Sequence, residues 1–134
     1  LNAQTGAFVS QLCFGKPDQI ERFCSMAVFH GDQMVAGTLY HNWQPDSGVI
    51  ELTSASTDRR WLTKPVVRAM FHMAFGMIGA QLVALRVSER NAGMVAIAQR
   101  FGFQGTLIPR LRGRDESEWI FTLSDDDWRA SRWS

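Results

Sequence analysis

An α/β fold is expected, a mixed but mostly antiparallel sheet with helices on both faces, and three observations predict it. Val66, Val67, Met70, Phe71, Ala74, Met77 and Ile78 recur at helical spacing. A short loop then leads into Leu82-Val-Ala-Leu-Arg-Val87, a strand unbroken by polar residues until Arg86. Before that helix lie three β-rich segments, separated by the turn signals His30-Gly-Asp-Gln33 and Pro45-Asp-Ser-Gly48. A meander followed by a β–α–β crossover closes into a mixed sheet.

The elements follow in order. Phe8, Val9, Leu12 and Cys13 lie near helical spacing, so Ala3 to Phe14 reads as a short helix stopped by Gly15 and Pro17. Phe23 to Phe29 and Met34 to Tyr40 form a hairpin, and Val49 to Ala55 is a third strand. Thr63 suits a helix cap and Pro65 the first helical turn, opening an amphipathic helix from Pro65 to Ile78. After the fourth strand, Met94, Ile97, Ala98 and Phe101 make one stripe of a short helix, and Phe103 to Leu107 begins a strand. Arg110 to Glu118 reads as a charged hairpin loop around Gly113. Glu118 to Leu123 is the last strand, and Asp125-Asp-Asp-Trp128 opens a C-terminal turn. No repeat or linker divides residues 1–134, so one domain is expected.

The bulk composition narrows the function. The 134 residues are 46% hydrophobic and 20% charged, with a net charge of +1. Such a balance gives no field for nucleic acid or an anionic membrane. Arg59 and Arg60, and later Arg110, Arg112 and Arg114, are local clusters that read as solvated faces. Cys13 and Cys24 have no metal-ligand spacing and read as reduced, buried thiols, which suits the cytoplasm. No apolar run reaches membrane-spanning length and no signal peptide is visible; a first residue of Leu reads as a processed or trimmed start. His30, His41 and His72 form no constellation with each other. His41, beside Asn42 and Trp43, is a second candidate base, and His72 lies on the polar side of its helix.

The stretch Lys64 to Phe103 carries a resemblance. Ala74-Phe75 at a helix end, then a strand, then Asn91, then Gly102-Phe103 match in type and mutual spacing a pattern of the GNAT superfamily of acyl-CoA N-acyltransferases. The Asp-rich turn with Trp128 is similar to that family's C-terminal ending. Residues 23–128 are covered, and the likeness is to the branch acetylating ribosomal-protein N-termini and to short GNAT-like proteins of tailed phages. The resemblance implies the GNAT fold, with the third strand splaying from the fourth so that unpaired backbone groups bond pantetheine amides. It implies acetyl-CoA as cofactor and an amine as acceptor, either a protein N-terminus or a small molecule. Leu52, Thr53 and Ser54 would face the thioester. Arg59, Arg60, Trp61, Leu62, Thr63 and Lys64 would form the phosphate loop at a helix N-terminus, with Asn91 and Phe103 completing the cofactor site.

This sequence departs from the family at several positions. The glycines of the family's phosphate loop fall at about Arg59 and Trp61, so side-chain charge from Arg59, Arg60 and Lys64 would replace a backbone cradle. Asn91 reads equally as a cap of the following helix. Glu51 occupies the place of the general base; an acid amid Val49, Ile50 and Leu52 must face a wet cleft or pair with a cation. Ala98 stands where the family often has an acid tyrosine and Met94 where it has a serine, leaving Ser88 or water to protonate a thiolate. The family normally starts with a further strand and helix, so the N-terminal elements are expected to be shortened, with the acceptor pocket reduced or completed by a second subunit. Exposed sheet edges leave a homodimer open. Alternatives to an N-acetyltransferase are a non-catalytic GNAT-like module, such as a phage accessory protein, and a binder of another nucleotide at the same helix end.

Overall fold

A computed structural model describes residues 1–134. Helix α1 (Asn2–Phe14) is followed by strands β1 (Phe23–His30), β2 (Gln33–Gln44) and β3 (Val49–Ser56). Helix α2 (Lys64–Phe71) runs on into a π-helical segment (His72–Ile78) and leads to β4 (Leu82–Ser88) and α3 (Ala92–Arg100). Strands β5 (Gln104–Ile108) and β6 (Glu118–Ser124) and helix α4 (Asp125–Ala130) complete the chain.

The six strands lie in the order β1-β2-β3-β4-β6-β5. Only β3 and β4 run parallel, as a crossover through α2 requires. They pair over four positions, from Val49 opposite Leu82 to Leu52 opposite Leu85. Beyond these, β3 stays paired with β2 through Ser56, and β4 with β6 through Ser88. The sheet therefore splits between Thr53 and Arg86, as the family resemblance implies.

Alternation along the strands separates two faces. Tyr40, Ile50, Leu52, Val83, Val87, Phe121 and Leu123 point to one, where α2, α3 and α4 bury Phe71, Phe75, Ala98, Phe101, Phe103 and Trp128 in a core of 19 residues. Phe71 packs its ring 4.6 Å from Trp128 and 5.9 Å from Phe103. Helix α1 covers part of the other face. A Cβ on Gly37 would lie 2.8 Å from both Thr5 Cγ2 and Val9 Cγ2, so the helix seats directly on strand backbone.

Three expectations need correction. The buried side of α1 is Thr5, Gly6, Val9 and Ser10, not a stripe through Leu12 and Cys13. Close approach to Gly37 selects small residues, while Leu12 and Phe14 overhang the sheet and stay exposed. Both cysteines are exposed rather than buried, Cys24 on edge strand β1 and Cys13 on the last turn of α1. The long helix is not α-helical throughout. Its ladder widens just past Met70, whose carbonyl accepts the buried Tyr40 hydroxyl at 2.7 Å. A side chain inserted into the ladder shifts its register, and a π turn absorbs the shift.

Candidate active site

The split opens into a cleft of about 1200 Å³ that runs through the sheet from one face to the other. One wall is β3 and the loop after it; the other is the end of β4 and helix α3. Glu51 and Ser88 both line it, as do Leu52, Thr53, Ser54, Arg59, Trp61, Leu62, Asn91 and Phe103. Arg60, Thr63 and Lys64, expected there, lie outside the lining. Thr63 instead caps α2, accepting from the Val66 amide at 3.4 Å. Trp61 and Phe103 are buried in the main core as well as facing the cleft.

On the α1 face the cleft is charged. Glu51 pairs in register with His41 on one side and Ala84 on the other, so its carboxylate sits at the last paired position before the split on that face. Of the two environments the sequence left open, the structure has the first: Glu51 faces the cleft and has no cation within ion-pair distance. Its Oε2 accepts from Asn42 Nδ2 at 3.3 Å. Asn42 owes its position to an irregularity of β2 between His41 and Gln44, where its φ of 52° is the left-handed conformation that Asn tolerates. His41 Nε2 lies 2.8 Å from Thr53 Oγ1. Burial lowers the His41 pKa, partly countered by the Glu51 charge, so the imidazole favours its neutral form.

The expected acid, Ser88, is tied at the far wall. Its hydroxyl donates to the Glu116 carboxylate and accepts the Arg90 amide at 3.1 Å. Tyr40 is removed from acid chemistry: its hydroxyl is spent on Met70, and burial raises its pKa. Asn91 caps α3, its Oδ1 accepting the Met94 amide at 3.2 Å, while its side-chain NH₂ has no protein partner. Cap and cleft contact thus coexist in one residue. No group of three His, Cys, Asp or Glu is close enough to hold a metal ion.

The loop expected to hold phosphates can be tested amide by amide. The Asp58 amide bonds Ser56 Oγ at 2.9 Å, and the Arg60 amide bonds Asp58 Oδ1 at 2.9 Å. The Trp61 and Thr63 amides bond the carbonyls of Asp58 and Trp61. With glycines missing and four of the six amides from Asp58 to Thr63 spent, the loop offers no continuous backbone cradle. Arg59, Arg60 and Lys64, at the start of α2, have no carboxylate within ion-pair distance. The residues present therefore fit the thioester arm in the strand split and a diphosphate held by side-chain charge.

Sequence reasoning missed Glu118 and the two arginines that hold it. Glu118 lines the cleft on the α1 face, 1% exposed, between Arg86 and Arg112. The loop arginines read as a solvated run; Arg112 is instead bonded to this carboxylate. The only available signal was an acidic residue opening an apolar strand.

No protein-family model and no curated protein matches the chain by sequence. Solved structures do match by fold. An acetyltransferase by assignment superposes with a TM-score of 0.71 at 14% identity, over 84% of this chain and 64% of its own. Another, from T. thermophilus, gives 0.67 at 14% identity, over 82% and 63%. A mutant form of the spermidine/spermine N-acetyltransferase SpeG from Vibrio cholerae gives 0.69 at 10% identity, over 79% and 69%. The chain spans less than two thirds of the length of the first two. At such identities the likeness establishes the fold: this is the acyl-CoA N-acyltransferase, or GNAT, fold. No helix is long and apolar enough to cross a membrane.

Proposed function

We propose that the chain is an acetyl-CoA-dependent N-acetyltransferase that transfers acetyl to a primary amine by direct attack. The observation that carries this is the sheet split with Glu51, unpaired by any cation, at its apex. Acetyl-CoA, when bound, supplies an activated thioester. The chain does the rest. Thr53 to Ser56 and Arg86 to Ser88 present strand edges free of each other, which bind an extended amide-bearing arm as added strands do. A backbone N–H of β3, near Leu52 to Ser54, polarises the acetyl carbonyl. The Asn91 amide reaches the same arm, and Arg59 at the cleft holds the diphosphate, with Arg60 and Lys64 adding charge from outside the lining. Glu51 takes the amine proton, directly or through water, with neutral His41 beside it as a second acceptor. Water, or Ser88 Oγ reprotonated in turn by water, returns a proton to the leaving sulfur.

Isothermal titration with acetyl-CoA tests the reading, and micromolar binding is expected. Absence of heat at millimolar cofactor overturns it. Where binding is seen, Glu51→Gln is expected to slow transfer by about 100-fold or more. Unchanged turnover across pH would remove Glu51 from the mechanism.

A further inference from the structure

Opposite Glu51, the α1 face of the cleft carries a charged group that acetyl transfer does not use. Glu118 is buried, and both its oxygens are taken: Oε1 by Arg86 Nε and Nη2, each at 2.6 Å, and Oε2 by Arg112 Nε at 2.5 Å. Arg86 comes from the β4 wall. Arg112 comes from the β5–β6 loop, which is pinned by the Arg112 amide on the Glu116 carbonyl at 3.2 Å and by Glu116 on Ser88.

One carboxylate thus holds two guanidiniums, and no second carboxylate lies within ion-pair distance of either. The cluster keeps a surplus positive charge. Arg86 Nη1 and both Arg112 Nη atoms have no carboxylate partner, although the two side chains are only 48% and 37% exposed and both line the cleft. A buried carboxylate needs compensation by one cation; the second leaves donors aimed at whatever enters. Strand register places Arg86 two residues beyond Ala84, the partner of Glu51, on the same face. That puts the two backbones roughly 8 Å apart, within the span of one small molecule. Leu12, Phe14 and Ile20 add an apolar wall at the same mouth.

We propose that Arg86 and Arg112 form an anion subsite for the acceptor, so that the acceptor is a small amine bearing a carboxylate, of the amino-acid class, and not a polyamine. The base at Glu51 takes the amine end and the guanidinium pair takes the carboxylate, which fixes the orientation of attack. A polycation could pair one amine with Glu51, but its further charges would meet the guanidinium pair inside the Debye length. The chemical assignment of the acceptor rests on the acetyltransferase reading; the anion subsite can be measured without it.

The test is equilibrium binding, without cofactor, of three probes: L-phenylalanine, L-phenylalaninamide and spermidine. Phenylalanine is expected to bind at least tenfold tighter than its amide, and spermidine more weakly than either. Arg112→Gln, checked by thermal melt, is expected to bring phenylalanine within about threefold of the amide, with Arg112→Lys retaining the preference. Arg86→Gln serves where Arg112→Gln does not fold. Amide or spermidine binding as tight as phenylalanine, or a preference untouched by Arg112→Gln, overturns the proposal. Carboxylate preference without any acetyl-CoA binding sinks the donor reading and keeps the subsite. Acetyl-CoA binding without carboxylate preference does the reverse.

Discussion

The two faces of the sheet are held by different chemistry. Under α2, α3 and α4 the contacts are apolar and aromatic, with Phe71 meeting Phe75, Phe103 and Trp128. On the α1 face, small residues seat the helix, and past its end the side chains on the cleft are His41, Glu51, Arg86, Arg112 and Glu118. Burial of apolar area stabilises the first face. The second exposes charge in a half-enclosed space, where an ionic contact is stronger than in bulk water. Stability and substrate chemistry are therefore largely separable, and substitutions on the two faces should differ in kind.

Phe71→Ala should have the largest effect, about 3–5 kcal/mol of stability by urea denaturation, because it opens a cavity among aromatic rings. A loss below about 1 kcal/mol would show that the aromatic face does not dominate. Glu118→Gln is expected to cost less, about 1.5–3 kcal/mol at most, since the two arginines it releases can hydrate. Its signature is functional: carboxylate probes should bind differently, which Phe71→Ala should not cause in the folded fraction. Asn91→Ala should lower stability by about 1 kcal/mol through the lost cap, and weaken acetyl-CoA binding if its NH₂ reaches the cofactor.

The smallest effect is a pH slope. Because burial depresses the His41 pKa, the unfolded state binds more protons than the folded one between the folded value and the ordinary 6.5. Neutral His41 is fully accommodated above pH 6.5, and stability falls as pH drops from there through the folded value. His41→Gln should flatten the melting temperature profile between pH 7 and 5 relative to the parent, and an unchanged profile would assign the slope elsewhere.

Much of the apolar face was legible, because its signals are local. Thr63, Pro65 and the run from Val66 to Phe71 fix one helix by spacing alone, and Gly15 ends another in the left-handed conformation at φ 72°. The parallel pairing of β3 and β4 followed from the order of elements, since a crossover must join two parallel strands, while their split came only with the family resemblance. The charged face was harder, because its partners are distant in sequence. Glu118 becomes buried only when Arg86, 32 residues earlier, arrives on the neighbouring strand. The π turn depends on Tyr40, 30 residues from Met70. Asp58 closes part of the phosphate loop through the turn it makes, which no spacing in the sequence signals.

That closed loop has a kinetic consequence. A diphosphate approaching Asp58 to Thr63 meets four amides already bonded within the chain, which leaves the Arg59 and Leu62 amides as the loop's backbone donors. Most of the attraction then comes from the cations at the rim, Arg59, Arg60 and Lys64. Capture should be fast in dilute buffer and slow steeply as ionic strength rises past about 0.1 M, where screening reaches in to roughly 10 Å.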